Sequence, residues 1–188
     1  NQGAHLFRSL GLKAGDHIAF LMENRLAFME ICWAAQRAGL YYTAISRYLT
    51  QDEIDYIVKD CGAKVVITTP KCADQIKGLL SDAPGAPLFF MMDEPLPGFR
   101  SYVKEAEQAQ PKTPIPDEVA GYDMLYSSGT TGRPKGIKRA NEYNPILWPN
   151  PGWKLLCATM CGMNADSVYL SPAPLYHAAP LRFSMMAI

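Results

Sequence analysis

The run AKVVITT at residues 63–69 constrains the fold of this chain more than any other segment. It is rich in β-branched residues and shows no alternation of polar and apolar side chains, which is typical of a strand covered on both faces. Such strands belong to parallel sheets, whose connections usually run through helices. The segment therefore predicts a largely parallel sheet flanked by helices.

Strand-like and helix-like segments alternate along the rest of the chain. The apolar runs that predict strands are 17–22, 40–45, 63–69, 87–93, 122–126 and 167–170. Helical spacing is found at 1–11, 25–38, 73–80 and 101–109. Thr50 with Glu53 has the T-x-x-E form of a capping box, and Ile54, Ile57 and Val58 give the helix that follows it an apolar stripe. This order predicts a layered α/β fold.

Composition excludes some functions. Lys plus Arg and Asp plus Glu both number 18, so no global charge would attract nucleic acid or an anionic membrane. No apolar run is long enough to span a bilayer, and no signal peptide opens the chain. The five cysteines form no C-x-x-C pair and suggest no zinc set, which favours reduced, mostly buried thiols in a cytoplasmic protein.

Both ends of the chain suggest a piece of a longer protein. There is no initiator Met, and the last residues, APLRFSMMAI, stop within an apolar run. Intact-mass analysis of the native product would test this expectation, and a mass near 20.8 kDa would refute it.

The segment YSSGTTGRPKG, residues 126–136, points to an anion site. Gly129 and Gly132 can adopt positive φ, so that backbone N–H groups close around a ligand. Hydroxyl donors are offered by Ser127, Ser128, Thr130 and Thr131, and cations by Arg133, Lys135, Lys138 and Arg139. Phosphate matches this set of donors and charges.

This loop does not have the Walker A spacing G-x-x-x-x-G-K-[ST]. The sixth position from Gly129 is Pro134, and Lys135 precedes Gly136 instead of a hydroxyl residue. The alternative is a surface hairpin with solvated lysines. The density of donors and cations after a buried strand favours phosphate binding over that alternative.

The segment from Ser127 to Gly136 resembles the signature loop of the adenylate-forming, AMP-binding superfamily: acyl-CoA synthetases, firefly luciferase and peptide-synthetase adenylation domains. LGLKAGDHIAFLMENR, AAQRAGLYYTAIS and PAPLYHAAP are similar to further family segments in the same order. The resemblance spans almost the whole chain. It implies that residues 1–188 are part of the large N-terminal domain of an acyl-CoA synthetase-like enzyme, with a phosphate-binding loop at 126–137 and no C-terminal domain.

The resemblance implies a two-step ligase reaction. A carboxylic acid attacks the α-phosphate of ATP in the presence of Mg²⁺, and coenzyme A then accepts the acyl group from the adenylate. Lys135 would stabilise the leaving pyrophosphate. The residues expected to wrap the β- and γ-phosphates are Ser127, Ser128, Gly129, Thr130, Thr131 and Gly132.

His177, in the segment PLYH, is the second expected catalytic residue. The resemblance places it between the acyl pocket and the phosphates, as a hydrogen-bond donor or gate. Phe183, Met185 and Met186 could line an acyl tunnel, although core packing explains them equally well.

Some features depart from the family pattern. Many relatives carry a His shortly after the Lys135–Gly136 pair, where IKRANEYN has none, and Pro180 stands where many have Gly. The expected adenine, ribose and magnesium segments and the C-terminal catalytic Lys all lie beyond Ile188, so the isolated chain is expected to be inactive and no metal ligand is assigned in it.

Three alternatives to an acid–CoA ligase differ in chemistry. A peptide-synthetase adenylation domain would load a carrier protein, a degenerate relative would bind nucleotides without catalysis, and an interaction protein would leave the cation-rich loop unexplained. The segment PLYHAAP favours aliphatic or steroid-like acyl groups over amino acids as the substrate. Self-association of the chain is left open.

Overall fold

The computed structural model describes residues 1–81, 83–127, 132–142, 144–145 and 151–188, with only the backbone for residues 151–154. Its centre is a six-stranded parallel sheet in the order β5-β4-β3-β1-β2-β6. The strands are β1 (His17–Leu21), β2 (Tyr41–Ala44), β3 (Ala63–Thr68), β4 (Leu88–Met91), β5 (Arg100–Ser101) and β6 (Tyr122–Asp123). The predicted parallel sheet is confirmed.

Helices cover both faces of the sheet. They are α1 (Gln2–Ser9), α2 (Leu26–Arg37), α3 (Gln51–Asp60), α4 (Pro151–Met160) and α5 (Ala178–Ala187). Two 3-10 helices (Pro70–Gln75 and Lys77–Leu79) and a π-helical turn (Val103–Glu107) complete the set. The capping box predicted at the start of α3 is present, because Thr50 and Glu53 bond each other's backbone N–H groups.

Successive side chains along the central strands pack in two different hydrophobic cores, one on each face of the sheet. Ile18 and Phe20 of β1 pack with α1, α2 and α5, whereas Ala19 and Leu21 pack with α3. Because side chains alternate across a strand, this division favours apolar residues on both faces, and all five residues of β1 are buried, with His17 as the one polar residue among them.

The strand order creates a switch point between β1 and β3. The chain passes from β1 to β2 on one side, returns to β3 on the other side of β1, and continues outward to β4. In open α/β sheets, ligands bind outside the carboxyl ends of the strands at such a point.

Some predicted elements differ in the structure. The strand predicted at 167–170 is wrong: the segment is irregular, and Val168 is 99% exposed. An isolated extended segment has no ladder partner to satisfy its backbone, and no described strand lies paired with it. The helix predicted at 73–80 is divided between the two 3-10 helices, and most of that at 101–109 is the π-helical turn.

The cysteines agree with the sequence analysis. All five cysteines are free, and four of them are buried. Among the helices of the described residues, none is both long and apolar enough to cross a membrane.

We expect His17 to make the stability of this chain sensitive to mild acid. The residue is 9% exposed, its ring stacks on that of Tyr41 with the centroids 4.7 Å apart, and its Nε2 lies 2.9 Å from Lys138 Nζ. Burial and then the charge of Lys138 lower the pKa of His17 from 6.5 to about 4, against an opposite effect of Asp16. Between these pH values the unfolded chain binds more protons than the folded chain. The contribution of neutral His17 to the unfolding free energy is therefore fully present above pH 6.5 and is lost as the pH falls toward 4.

This pKa difference corresponds to roughly 3 kcal/mol of unfolding free energy. Urea titrations at pH 7 and pH 4 should therefore show a smaller acid-induced loss in His17→Gln than in the wild type, by about that amount. An unchanged pH dependence in His17→Gln would contradict the assignment.

Candidate functional site

The glycine-rich segment is held between the strands of an antiparallel hairpin. β7 (Leu125–Ser127) pairs with β8 (Lys135–Ile137), and Ser127 stands directly opposite Lys135. Opposite residues of an antiparallel pair project from the same face, with Cβ atoms about 5 Å apart. Both side chains are exposed. The hairpin thus presents a hydroxyl and a cation side by side at the end where the loop joins its two strands.

The loop between these strands is described in part. Gly132 has φ of 137°, a conformation that favours glycine, as the sequence predicts. Four predicted phosphate-binding residues lie outside the described residues: Ser128, Gly129, Thr130 and Thr131. Their contacts with phosphate, like those of Ser127, Gly132 and Lys135, stay predictions.

Helix α3 supports the hairpin and the second half of the loop. The Tyr126 hydroxyl donates to Asp60 Oδ2 at 2.6 Å, and burial followed by this hydrogen bond raises the pKa of Tyr126, so the hydroxyl stays a donor. Pro134 is buried, and the Arg133 guanidinium lies 5.2 Å from the centre of the Tyr56 ring, a cation–π contact. The stem of the loop is therefore tied to a helix of the main fold.

Gly136 is required by the packing of the hairpin. A Cβ atom at this position would lie 2.6 Å from Met124 Cε and 2.9 Å from Tyr126 Cζ. A side chain would displace the Tyr126 ring, which is bonded to Asp60. The glycine that follows Lys135 thus lets the aromatic residue cross beneath β8.

Two of the four cations near the loop have other partners. Arg133 rests on Tyr56, and Lys138 lies against His17 and 4.4 Å from the centre of the Tyr41 ring, at the amino edge of the sheet. Lys135 is the first residue of β8 and directly follows the loop, whereas Arg139 lies beyond the end of that strand. It is therefore the cation of the four whose position best fits a ligand in the loop.

A crevice of about 330 Å³ lies at the switch point, at the carboxyl ends of the central strands. It is lined by Glu23 and Asn24 after β1, Arg47 and Tyr48 after β2, and Lys71 after β3. Aromatic and cationic side chains on an exposed crevice suit an anionic or nucleotide ligand.

His177 lies on the segment that closes one side of this crevice. It is the N-cap residue of α5 and is exposed, and its ring centroid is 4.4 Å from that of Tyr176, a crevice residue. Asn24 fastens this segment, since its Nδ2 donates to the Ala173 carbonyl at 3.3 Å and its Oδ1 accepts from the Leu175 N–H at 3.0 Å. The structure thus places His177 beside the crevice, on a different element from the hairpin.

A largely buried ion pair joins α5 to the strand that precedes the hairpin. Arg182 binds Asp123 through both oxygens, with Nε–Oδ1 at 3.2 Å and Nη2–Oδ2 at 2.7 Å. The two side chains are 18% and 11% exposed. The hydrogen bond to Asp123 raises the pKa of Arg182, so the guanidinium stays charged.

Sequence reasoning did not single out these contacts. Arg47 and Lys71 could have been found, because each follows a predicted strand and so falls at the ligand-binding edge of the sheet. Arg182 and Asp123 are 59 residues apart, and no local pattern joins them. The structure shows no cluster of three or more metal-ligating side chains within its described ranges.

The fold and the hairpin together define an α/β protein with a parallel sheet, in which a two-stranded hairpin carries the glycine-rich segment. The family model described as AMP-binding enzyme matches residues 1–188, and the chain belongs to that family. The chain is 29% identical over 187 residues to a feruloyl-CoA synthase of Amycolatopsis sp., covering 95% of this chain and 33% of the relative. It is 28% identical over 186 residues to the long-chain-fatty-acid–CoA ligase FadD13 of Mycobacterium tuberculosis, covering 96% of this chain and 34% of that ligase.

A solved structure has the same fold. ATP-bound MatB of Rhodopseudomonas palustris superposes with a TM-score of 0.76 at 24% identity, over 99% of this chain and 35% of that protein. The chain thus spans about a third of the length of the relatives it matches.

Proposed function

We propose that this chain is the polyphosphate-binding part of an AMP-forming acid–CoA ligase, in which residues 126–137 form the phosphate loop. The observation that carries the proposal is the hairpin that presents Ser127 beside Lys135, in a chain that the family model matches from residue 1 to residue 188. The CoA-ligase names of both relatives and the ATP in MatB support the choice of reaction and nucleotide.

In this proposal Lys135 acts electrostatically. Its ammonium group stabilises the negative charge that develops on pyrophosphate as the acid attacks the α-phosphate. Backbone N–H groups and hydroxyls of residues 127–132 hold the β- and γ-phosphates, and Mg²⁺ accompanies the nucleotide without an assigned ligand in this chain. His177 donates a hydrogen bond at, or gates, the passage between the acid and the phosphates.

Coenzyme A is proposed to approach through the crevice at the switch point. Arg47 and Lys71 offer charge to its phosphates, and Tyr48 offers an exposed ring to its adenine. Glu23 is the acidic residue of the crevice, and it accepts a 2.8 Å hydrogen bond from Thr69.

The double variant Arg47→Ala/Lys71→Ala of the complete protein should raise KM for CoA several-fold and leave ATP–pyrophosphate exchange unchanged, because adenylate formation precedes CoA binding. Steady-state thioester formation at varied CoA checks this, with Lys59→Ala as a surface control. An unchanged KM for CoA would remove the crevice from the proposal.

The reaction itself is tested with the complete protein, ATP, Mg²⁺ and a panel of aromatic, aliphatic and steroid-like acids. Acid-dependent release of AMP and pyrophosphate, with a thioester formed on CoA, is the expected result. The panel also identifies the class of acid, which is needed because the names of the two relatives point to different acids. Exchange without transfer to CoA would favour carrier-protein loading, and no acid-dependent exchange would contradict a ligase.

A further inference from the structure

The Arg182–Asp123 pair lies between the two elements to which the proposed function assigns chemistry. Asp123 is four residues before Ser127, at most about 13 Å along an extended chain. Arg182 is five residues after His177, roughly 8 Å along the axis of α5. The pair thus joins the strand that leads into the hairpin to the helix that begins after His177.

The residues packed around the pair hold the two side chains in one orientation. Tyr42, which pairs in register with Asp123, is 1% exposed, and Cys32 is fully buried nearby. Leu181 and Met185, on either side of Arg182 in sequence, are in the hydrophobic core. A bidentate pair held in such a setting fixes direction as well as distance, because the planar guanidinium matches both carboxylate oxygens.

Stability alone does not account for this pair. A buried ion pair loses hydration that its mutual attraction offsets only when the geometry is good, and apolar replacements are often equally stable. A helix packed through Leu181 and Met185 would stay on the sheet without a charge pair. The pair adds a fixed orientation of α5 relative to β6.

Resting on the proposed function, we infer that Arg182 and Asp123 are positioning residues that set His177 relative to the phosphate loop for adenylate formation. Neither residue needs to touch substrate. Loss of the pair leaves the contacts to ATP and acid in place but alters their mutual alignment, and small misplacements of reacting groups lower rates strongly. The rate of the chemical step should therefore fall while the KM values change little.

The test uses the complete protein and the double variant Asp123→Leu/Arg182→Met, which leaves no buried charge unpaired. Single-turnover adenylate formation at saturating ATP and acid should fall at least tenfold, with KM for ATP changed less than threefold and Tm within a few degrees of the wild type. A control variant, Arg8→Met/Asp117→Leu, removes a more exposed pair between a helix and a loop. It should keep the wild-type rate.

A second variant keeps the test decisive if the double variant does not fold. Arg182→Lys retains the charge but loses the bidentate geometry, and it should lower the single-turnover rate several-fold in a folded protein. A wild-type rate in whichever of the two variants folds would overturn the inference. Absence of acid-dependent exchange in the wild type would instead contradict the proposed function, so the two failures are distinguishable.

Discussion

Lys135→Ala in the complete protein is expected to lower the rate of acid-dependent ATP–pyrophosphate exchange at least tenfold. The Lys135 side chain is exposed at the end of the hairpin where the loop joins it, opposite Ser127. A charge aimed at the leaving pyrophosphate stabilises the transition state more than the ground state, and loss of such a group costs a few kcal/mol when the closed site excludes water. Tenfold, about 1.4 kcal/mol, is thus a lower bound.

The control for this variant is Lys77→Ala, whose lysine pairs with Asp74 on the surface and should leave exchange unchanged. Lys135→Arg should retain part of the rate, because the positive charge stays while its shape changes. An unchanged exchange rate in Lys135→Ala would remove Lys135 from the mechanism.

Gly121→Ala is expected to destabilise the chain by roughly 3 kcal/mol, the upper end for overpacked positions. A Cβ atom here would lie 2.3 Å from the Leu40 carbonyl oxygen and 2.8 Å from that of Ala35. Both obstacles are backbone atoms, so no side-chain rotation relieves the clash. Gly121 also donates its N–H to the Gln36 carbonyl at 2.7 Å, immediately before β6.

Thermal unfolding checks this prediction. For a chain of this size the expected loss lowers Tm by about 6–12 °C. Gly11→Ala is the matched control: Gly11 has φ of 83°, but a methyl group added there would have no neighbour within 4 Å, so this variant should lose only about 1 kcal/mol from backbone strain. Equal Tm values for the two variants would contradict the prediction that a clash with neighbouring backbone atoms at Gly121 lowers the stability.

The sheet could be predicted because its strands carry their own signal. β1 and β3 are apolar on both faces, and such runs have few alternative structures in a soluble fold. Strand β8 could not be predicted, because Lys135, Gly136 and Ile137 have no shared β preference and become a strand through pairing with β7. The segment 167–170 is the opposite case: its sequence is typical of a strand, but it has no paired neighbour among the described strands and is irregular.

The site could be predicted where its residues are consecutive in sequence. The loop at 126–137 combines glycines, hydroxyls and cations within one turn, so the expected ligand follows from composition. The crevice joins Asn24, Arg47 and Lys71 from three connections, and it needed the strand order before it could be recognised. The Arg182–Asp123 pair depends on how α5 packs, which no local pattern specifies.

Amide hydrogen exchange of the complete protein, measured with saturating ATP and with saturating AMP, tests most directly whether residues 126–137 hold the polyphosphate. ATP should slow exchange across this segment, and AMP should leave it unprotected, because AMP lacks the β- and γ-phosphates. Equal protection by both nucleotides, or none by bound ATP, would contradict phosphate binding by the hairpin loop.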